Sequence, residues 1–266
     1  MLELTAALTA YFILLAAVLG LVMGSFLNCF AYRYSNNESV IRGRSKCALC
    51  GHALGSRDLV PVFSWLFLKG RCRFCGEKIS PRYVAAELVC AALYVSVLLR
   101  FGLGVPALKY LVFVTLLFTA ASADLYCGLI PDRLVIIGII TALAAVFFAP
   151  EGAVSALIST AIGGFSIALP LLICVLVFDR VKKRETMGGG DIKLMFMIGL
   201  FFDWKLNVLI IILACILGIV FAVFRQKNSS GGERAFPFAP ALCSAAWLVM
   251  LFGEGLLGWY LRLFSL

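Results

Sequence analysis

Two aspartates in apolar surroundings are the residues of this chain best placed to do chemistry. Asp124 stands in Ala123-Asp124-Leu125, shortly before Ile130-Pro131-Asp132. Asp191 follows three glycines, in Gly188-Gly189-Gly190-Asp191-Ile192-Lys193. Acids within apolar helices are costly and usually functional. Two carboxyls brought close cannot both ionise easily, so one keeps its proton. The ionised one then activates water as a base and the protonated one polarises a carbonyl. The three glycines let another backbone approach closely and adopt conformations closed to other residues. An extended peptide could use the exposed backbone there. A plainer alternative stands beside this: Asp is favoured at helix N-caps, and both Asp191 and Asp132 are placed for that duty. Other hydrolytic chemistries lack their residues. His52 is the only histidine and the chain has no GxSxG, which removes a Ser-His dyad in the apolar part and an HExxH metal site.

A second group carries a different chemistry. Cys47-Ala-Leu-Cys50 and Cys72-Arg-Phe-Cys75 are two CxxC pairs 21 residues apart, each followed by glycine. Two such turns supply four sulfurs for a tetrahedral zinc. The gap slightly exceeds the usual range of about 15–20 for this pattern. The alternatives are two disulfides or four free thiols, and a reducing cytosol disfavours the former. A site of four thiolates has no open position for water, so zinc here is structural, contributing folding free energy to a loop with little core. The other six cysteines, at 29, 90, 127, 174, 215 and 243, lie in or beside apolar runs, where a thiol behaves as a small hydrophobe.

The elements that must position these groups are apolar helices. The chain is 63% hydrophobic and 14% charged, against about 45–50% and about 25% for a soluble domain. A spanning helix needs roughly 20 apolar residues. Apolar runs predict an all-α membrane protein with about eight helices, over 6–32, 83–101, 107–123, 131–149, 153–178, 190–202, 205–225 and 238–260. Met1 to Ala10 hold Glu3 and no Lys or Arg, so the first run reads as a transmembrane helix rather than a cleavable signal. The resulting division is a first helix (1–32), a loop (33–82) and a membrane core (83–266).

Charge sets the orientation. The 33–82 segment holds ten Lys/Arg and three acids, which is +7 of the net +9. Beside a membrane helix such a loop is expected on the cytoplasmic side near anionic lipid, and not on nucleic acid. The 179–193 connection adds Arg180, Lys182, Lys183, Arg184 and Lys193, and the 225–236 connection adds Arg225, Lys227 and Arg234. With eight crossings these fall on one side, both termini on the other, and Asp124 and Asp191 at one cytoplasmic level.

These residues together resemble the bacterial type IV prepilin peptidases, GxGD-type aspartyl peptidases that are often also N-methyltransferases. The resemblance runs almost end to end. It includes Gly24-Ser25-Phe26-Leu27-Asn28 with Tyr32-Arg33, both CxxC pairs, and Pro61-Val62-Phe63-Ser64-Trp65-Leu66 with Gly70-Arg71-Cys72. It continues through Ile79-Ser80-Pro81-Arg82-Tyr83 with Glu87, both aspartate motifs, and Phe236-Pro237-Phe238-Ala239-Pro240, where the family usually has glycine at 239. The resemblance implies Asp124 and Asp191 as catalytic residues. It makes Gly188, Gly189, Gly190, Lys193 and Asp132 their supports, and Cys47, Cys50, Cys72 and Cys75 the metal ligands. It further implies pilin-like precursors as substrates, cut after the glycine of a short basic leader at the bacterial inner membrane. S-adenosylmethionine is then the methyl donor, its step associated with the cysteine loop, although no glycine-rich loop of the soluble kind marks a pocket. Two rivals remain at this stage. A transporter also places Asp and glycines at helix breaks, and a zinc-loop scaffold would tolerate Asp191→Asn.

Overall fold

The computed structural model describes residues 6–39, 43–47, 50–150, 152–183, 188–228 and 237–264. Glu151, Met187, Phe236 and Leu266 lie outside these residues, as do Arg42, Arg184 and Arg234 of the basic connections. All eight expected helices are present among the described residues: α1 (Ala6–Ser35), α3 (Arg82–Phe101), α4 (Val105–Cys127), α5 (Asp132–Val146), α6 (Ala153–Lys182), α7 (Gly189–Gly199), α8 (Trp204–Asn228) and α9 (Ala239–Phe264). A short helix inside the loop, α2 (Phe63–Phe67), joins them, and no strand forms among the described residues.

Six of the helices (α1, α3, α4, α6, α8 and α9) are long and apolar enough to cross a membrane. Helices α5 and α7 have 15 and 11 residues. At 1.5 Å per residue they reach about 22 and 16 Å, short of a hydrocarbon core of about 30 Å. Hydropathy does not separate them from the others, because a side chain buried in protein is as apolar as one facing lipid. Leu194, Met195, Met197, Ile198 and Gly199 of α7 are all buried.

The chain forms two compact units, residues 1–107 and 108–266. In the first, α1 packs on α3. A Cβ added to Gly20 would meet the Ala91 Cα at 2.5 Å, and one added to Gly24 would meet the Glu87 Cα at 2.9 Å. The four-residue advance on α1 matches a four-residue retreat on α3, so the helices are antiparallel. Small residues spaced four apart let their backbones meet closely, as is common between helices in membranes.

In the second unit α7 packs on α5, α6 and α9. Gly138 of α5 makes room for the Met197 side chain. At the far end of α7, the buried Asn207 donates from Nδ2 to the carbonyls of Gly163, Gly199 and Phe202, at 3.0, 3.2 and 3.1 Å. Gly199 and Phe202 lie at and just past the C-terminal end of α7, where carbonyl groups lack intrahelical partners, while Gly163 lies in the interior of α6. The end of the short helix opposite Asp191 is thereby fixed to α6.

Candidate active site and metal site

Asp124 lies in the last turn of α4 and is 7% exposed. Its Oδ2 accepts the backbone N–H of Ala239 at 2.9 Å. Ala239 opens α9, so the carboxylate of Asp124 serves one of the four amides that a helix start leaves without partners. Sequence reasoning missed this contact, because a backbone donor has no residue signature. Alanine at 239 is sufficient for the contact, because every residue except proline supplies that N–H.

Ala239→Pro isolates the bond. Proline suits the first position of a helix, so α9 should still start there, while the donor to Asp124 is gone. With Asp124 in the role that the resemblance implies, cleavage should fall about ten- to a hundredfold, as befits a lost hydrogen bond to a charged group, with Ala239→Gly active. Peptidase assays on both variants check this, and full activity of Ala239→Pro would dismiss the contact.

Asp191 is the third residue of α7, whose N-cap is Gly188. Asp132 is the first residue of α5, whose N-cap is Pro131. Neither helix has a side-chain cap, so capping accounts for neither aspartate. The carboxylate of Asp132 instead accepts from Lys193 Nζ at 2.8 Å, tying the first residue of α5 to the fifth of α7. Both partners are exposed, where such a pair is worth about 0–1 kcal/mol.

The three glycines adopt no unusual backbone angles: none of Gly188, Gly189 and Gly190 has a positive φ. A Cβ on Gly189 would meet nothing within 4 Å, and one on Gly188 would meet only the Asp191 Oδ2, at 3.9 Å. Among the described residues, the space over Gly188 and Gly189 beside the Asp191 carboxyl is therefore open. On the other side Gly190 faces Ile130, which a Cβ would touch at 3.5 Å. Asp124 and Asp191 lie within electrostatic reach of each other, and both within reach of the buried Cys243 on α9.

In the loop, the two CxxC turns are built alike. Cys47 N–H donates to the His52 carbonyl at 2.9 Å and Cys72 N–H to the Glu77 carbonyl at 2.8 Å. Gly51 and Gly76 each donate back to the first cysteine at 3.0 Å, with φ of +69° and +72°. That angle requires the glycine seen after each pair. The rings of His52 and Phe74 lie 3.5 Å apart, centroid to centroid, joining the two turns.

All ten cysteines are free, and the sulfurs of Cys47, Cys50, Cys72 and Cys75 lie within 4.8 Å of one another. Tetrahedral zinc with bonds of about 2.3 Å needs sulfurs about 3.8 Å apart, so the donor set fits with little movement. The Glu77 backbone lowers the Cys75 thiol, but desolvation and hydrogen bonds with Cys72, Cys50 and Cys47 outweigh it and push the thiol up to about 11. A divalent cation would hold all four as thiolates.

Comparison with known proteins places both parts of the chain in one family. Residues 18–101 match the bacterial peptidase A24 N-terminal domain, and residues 111–223 match the type IV leader peptidase family. The chain is similar to the prepilin leader peptidase/N-methyltransferase of Pseudomonas putida, 33% identical with 92% of each chain covered. It is also similar to the protein of the same name from Bacillus subtilis, 31% identical over 92% of this chain and 96% of the relative. A Myxococcus xanthus protein of that name is 35% identical over 77% of this chain and 61% of its own length. No solved structure matches.

Proposed function

The chain belongs to the type IV leader peptidase family, and from that premise we propose that Asp124 and Asp191 are the dyad with which it removes the leader of pilin-like precursors. The observation that carries this is the mutual electrostatic reach of two acids drawn from helices far apart in sequence, with open space beside one of them. A precursor backbone lies along Gly188 and Gly189. One carboxylate takes a proton from water as its oxygen attacks the scissile carbonyl carbon. The other carboxyl, protonated, donates to the carbonyl oxygen. The carbon–nitrogen bond then breaks, with the proton passing to the departing amine. No covalent intermediate with the protein is needed.

The same protein methylates the new N-terminus, and S-adenosylmethionine supplies the methyl group. We assign that step to the 33–82 loop, and the peptidase to 83–266. Cys47, Cys50, Cys72 and Cys75 would hold a zinc that keeps the loop folded and takes no part in either reaction.

This multi-pass protein is oriented with both sites facing the cytoplasm in our reading, at the bacterial inner membrane. Asp124 lies in the last turn of α4 and Asp191 in the first turn of α7, and their mutual electrostatic reach supports a reading in which the two helix ends share one level. The Lys193–Asp132 pair does the same for the starts of α5 and α7. Helix α6 is long enough to cross, so the chain returns to that level only if α5 crosses as well. Counting α5 and α7 as crossings also keeps the three basic connections on one side, as cytoplasmic loops require. Reporter fusions at Gly55 and Lys183 should then report the cytoplasm, and fusions at Glu151 and Leu266 the outside. A cytoplasmic signal at Glu151 would show that α5 does not cross.

The peptidase reading is tested by incubating purified protein with a pilin-like precursor and sequencing the N-terminus of the product. Cleavage directly before the hydrophobic segment supports it, and an intact precursor rejects it.

A further inference from the structure

The first unit holds a strained backbone turn gripped by a buried acid. Val62 has φ +62° and ψ −53°, and Phe63 N–H donates to the Pro61 carbonyl at 2.6 Å across it. That is the γ-turn of the rare, strained hand, centred on a β-branched residue for which positive φ is an outlier. Such strain persists only where the surroundings impose it. What imposes it here is Glu87 of α3, 8% exposed, whose Oε2 accepts the Val62 N–H at 2.7 Å. Glu87 lies on the face of α3 that packs on α1, opposite Gly24.

The turn leads directly into the metal-binding half of the loop. Val62 starts α2, and α2 carries Trp65, whose Nε1 donates to the Ile79 carbonyl at 3.1 Å. Gly70 closes the end of α2 through its N–H to Trp65, and a Cβ there would strike the Trp65 ring at 2.8 Å. Ile79 in turn donates to Gly70 at 2.7 Å, directly beside the Arg71–Lys78 bridge that encloses Cys72 and Cys75. Arg73, between those cysteines, donates to Asp58 at 2.8 Å on the segment just before the turn. A continuous series of hydrogen bonds thus runs from α3 to the second CxxC.

We propose that Glu87 is a positioning residue that docks the cysteine loop on the α1–α3 pair, its carboxylate holding Val62 in a backbone state that the loop would leave if released. The docking does not depend on which reaction the loop serves. Its consequence for methylation rests on the reading given above, that the loop serves the methyl transfer.

The test uses the full chain and two variants, with trypsin cleavage at Arg57 and Lys69, which flank α2, as the measure of docking. Glu87→Leu keeps the bulk and removes the acceptor. It should raise the rate of cleavage at those sites about ten- to a hundredfold, the scale of a hydrogen bond to a charged group. Zinc content and leader removal should stay as in the unchanged chain, while kcat/KM for methylation falls in step with the loss of docking. Glu87→Gln keeps an acceptor oxygen and should restore both trypsin resistance and methylation. A Glu87→Leu loop as resistant as the original overturns the proposal. So does loss of zinc in that variant, which would make Glu87 a folding element, or a Glu87→Gln loop as labile as Glu87→Leu. If the unchanged chain does not methylate at all, the methylation reading fails and the trypsin result still decides the docking.

Discussion

Asp124→Asn and Asp191→Asn each lower leader cleavage by about 10²–10⁴-fold, the range that positioned acid–base groups contribute, and the double variant is no worse than either alone. The roles of base and acid are distinct, so one carboxyl cannot fill both. Residues acting as a unit lose most of their effect with the first member removed. Asparagine keeps the shape of each side chain, so the helices and the zinc content should be unchanged. Methylation of a precursor already cut should continue, since neither aspartate belongs to the loop. Single-turnover rates with each variant measure this directly. Normal processing by either single variant would sink the dyad.

Cys72→Ser should produce the opposite pattern, with methylation abolished and cleavage only impaired. Cys72 is the most buried of the four ligands, and serine provides no thiolate. Three remaining sulfurs bind zinc weakly, and a loop whose fold draws on the metal unfolds with its loss. The aspartates lie in the second unit and the loop in the first. Metal analysis and product masses on the purified variant report both effects. Full zinc occupancy would refute the four-thiolate site. Complete loss of cleavage in a folded variant would make the loop part of the peptidase site.

Side-chain chemistry was legible in the sequence, and backbone chemistry was not. The four cysteines announced their cluster through spacing alone, because two CxxC turns with a following glycine have few other uses. Asp124 and Asp191 stood out because an acid is conspicuous in an apolar run. Their proximity was not readable, since it depends on how α5, α6 and α7 return the chain to one level. The amide of Ala239 was invisible for the reason that every residue but proline carries one. The grip of Glu87 on Val62 spans 25 residues, and no local pattern encodes it.

N-capping, weighed as a reading of Asp132 and as the plainer alternative for Asp191, gives way for one physical reason. Asp132 and Asp191 were placed as possible N-caps from residue type, yet Pro131 and Gly188 hold those positions. Capping preference is a local tendency. Here Asp132 pairs with Lys193 across two helices, and Asp191 is the third residue of α7, inside its first turn. The eight helices were located well by hydropathy, but the shortness of α5 and α7 was partly hidden, because both are apolar for burial in protein.

The central claim is that this chain cuts a pilin-like precursor with Asp124 and Asp191. Its most direct test is the intact mass of a precursor after incubation with S-adenosylmethionine and either the unchanged protein or Asp191→Asn. The unchanged protein should yield a product lacking exactly the leader and carrying one added methyl group, while Asp191→Asn leaves the full precursor mass. A precursor still at full mass with the unchanged protein, or shortened equally by both, would contradict the claim.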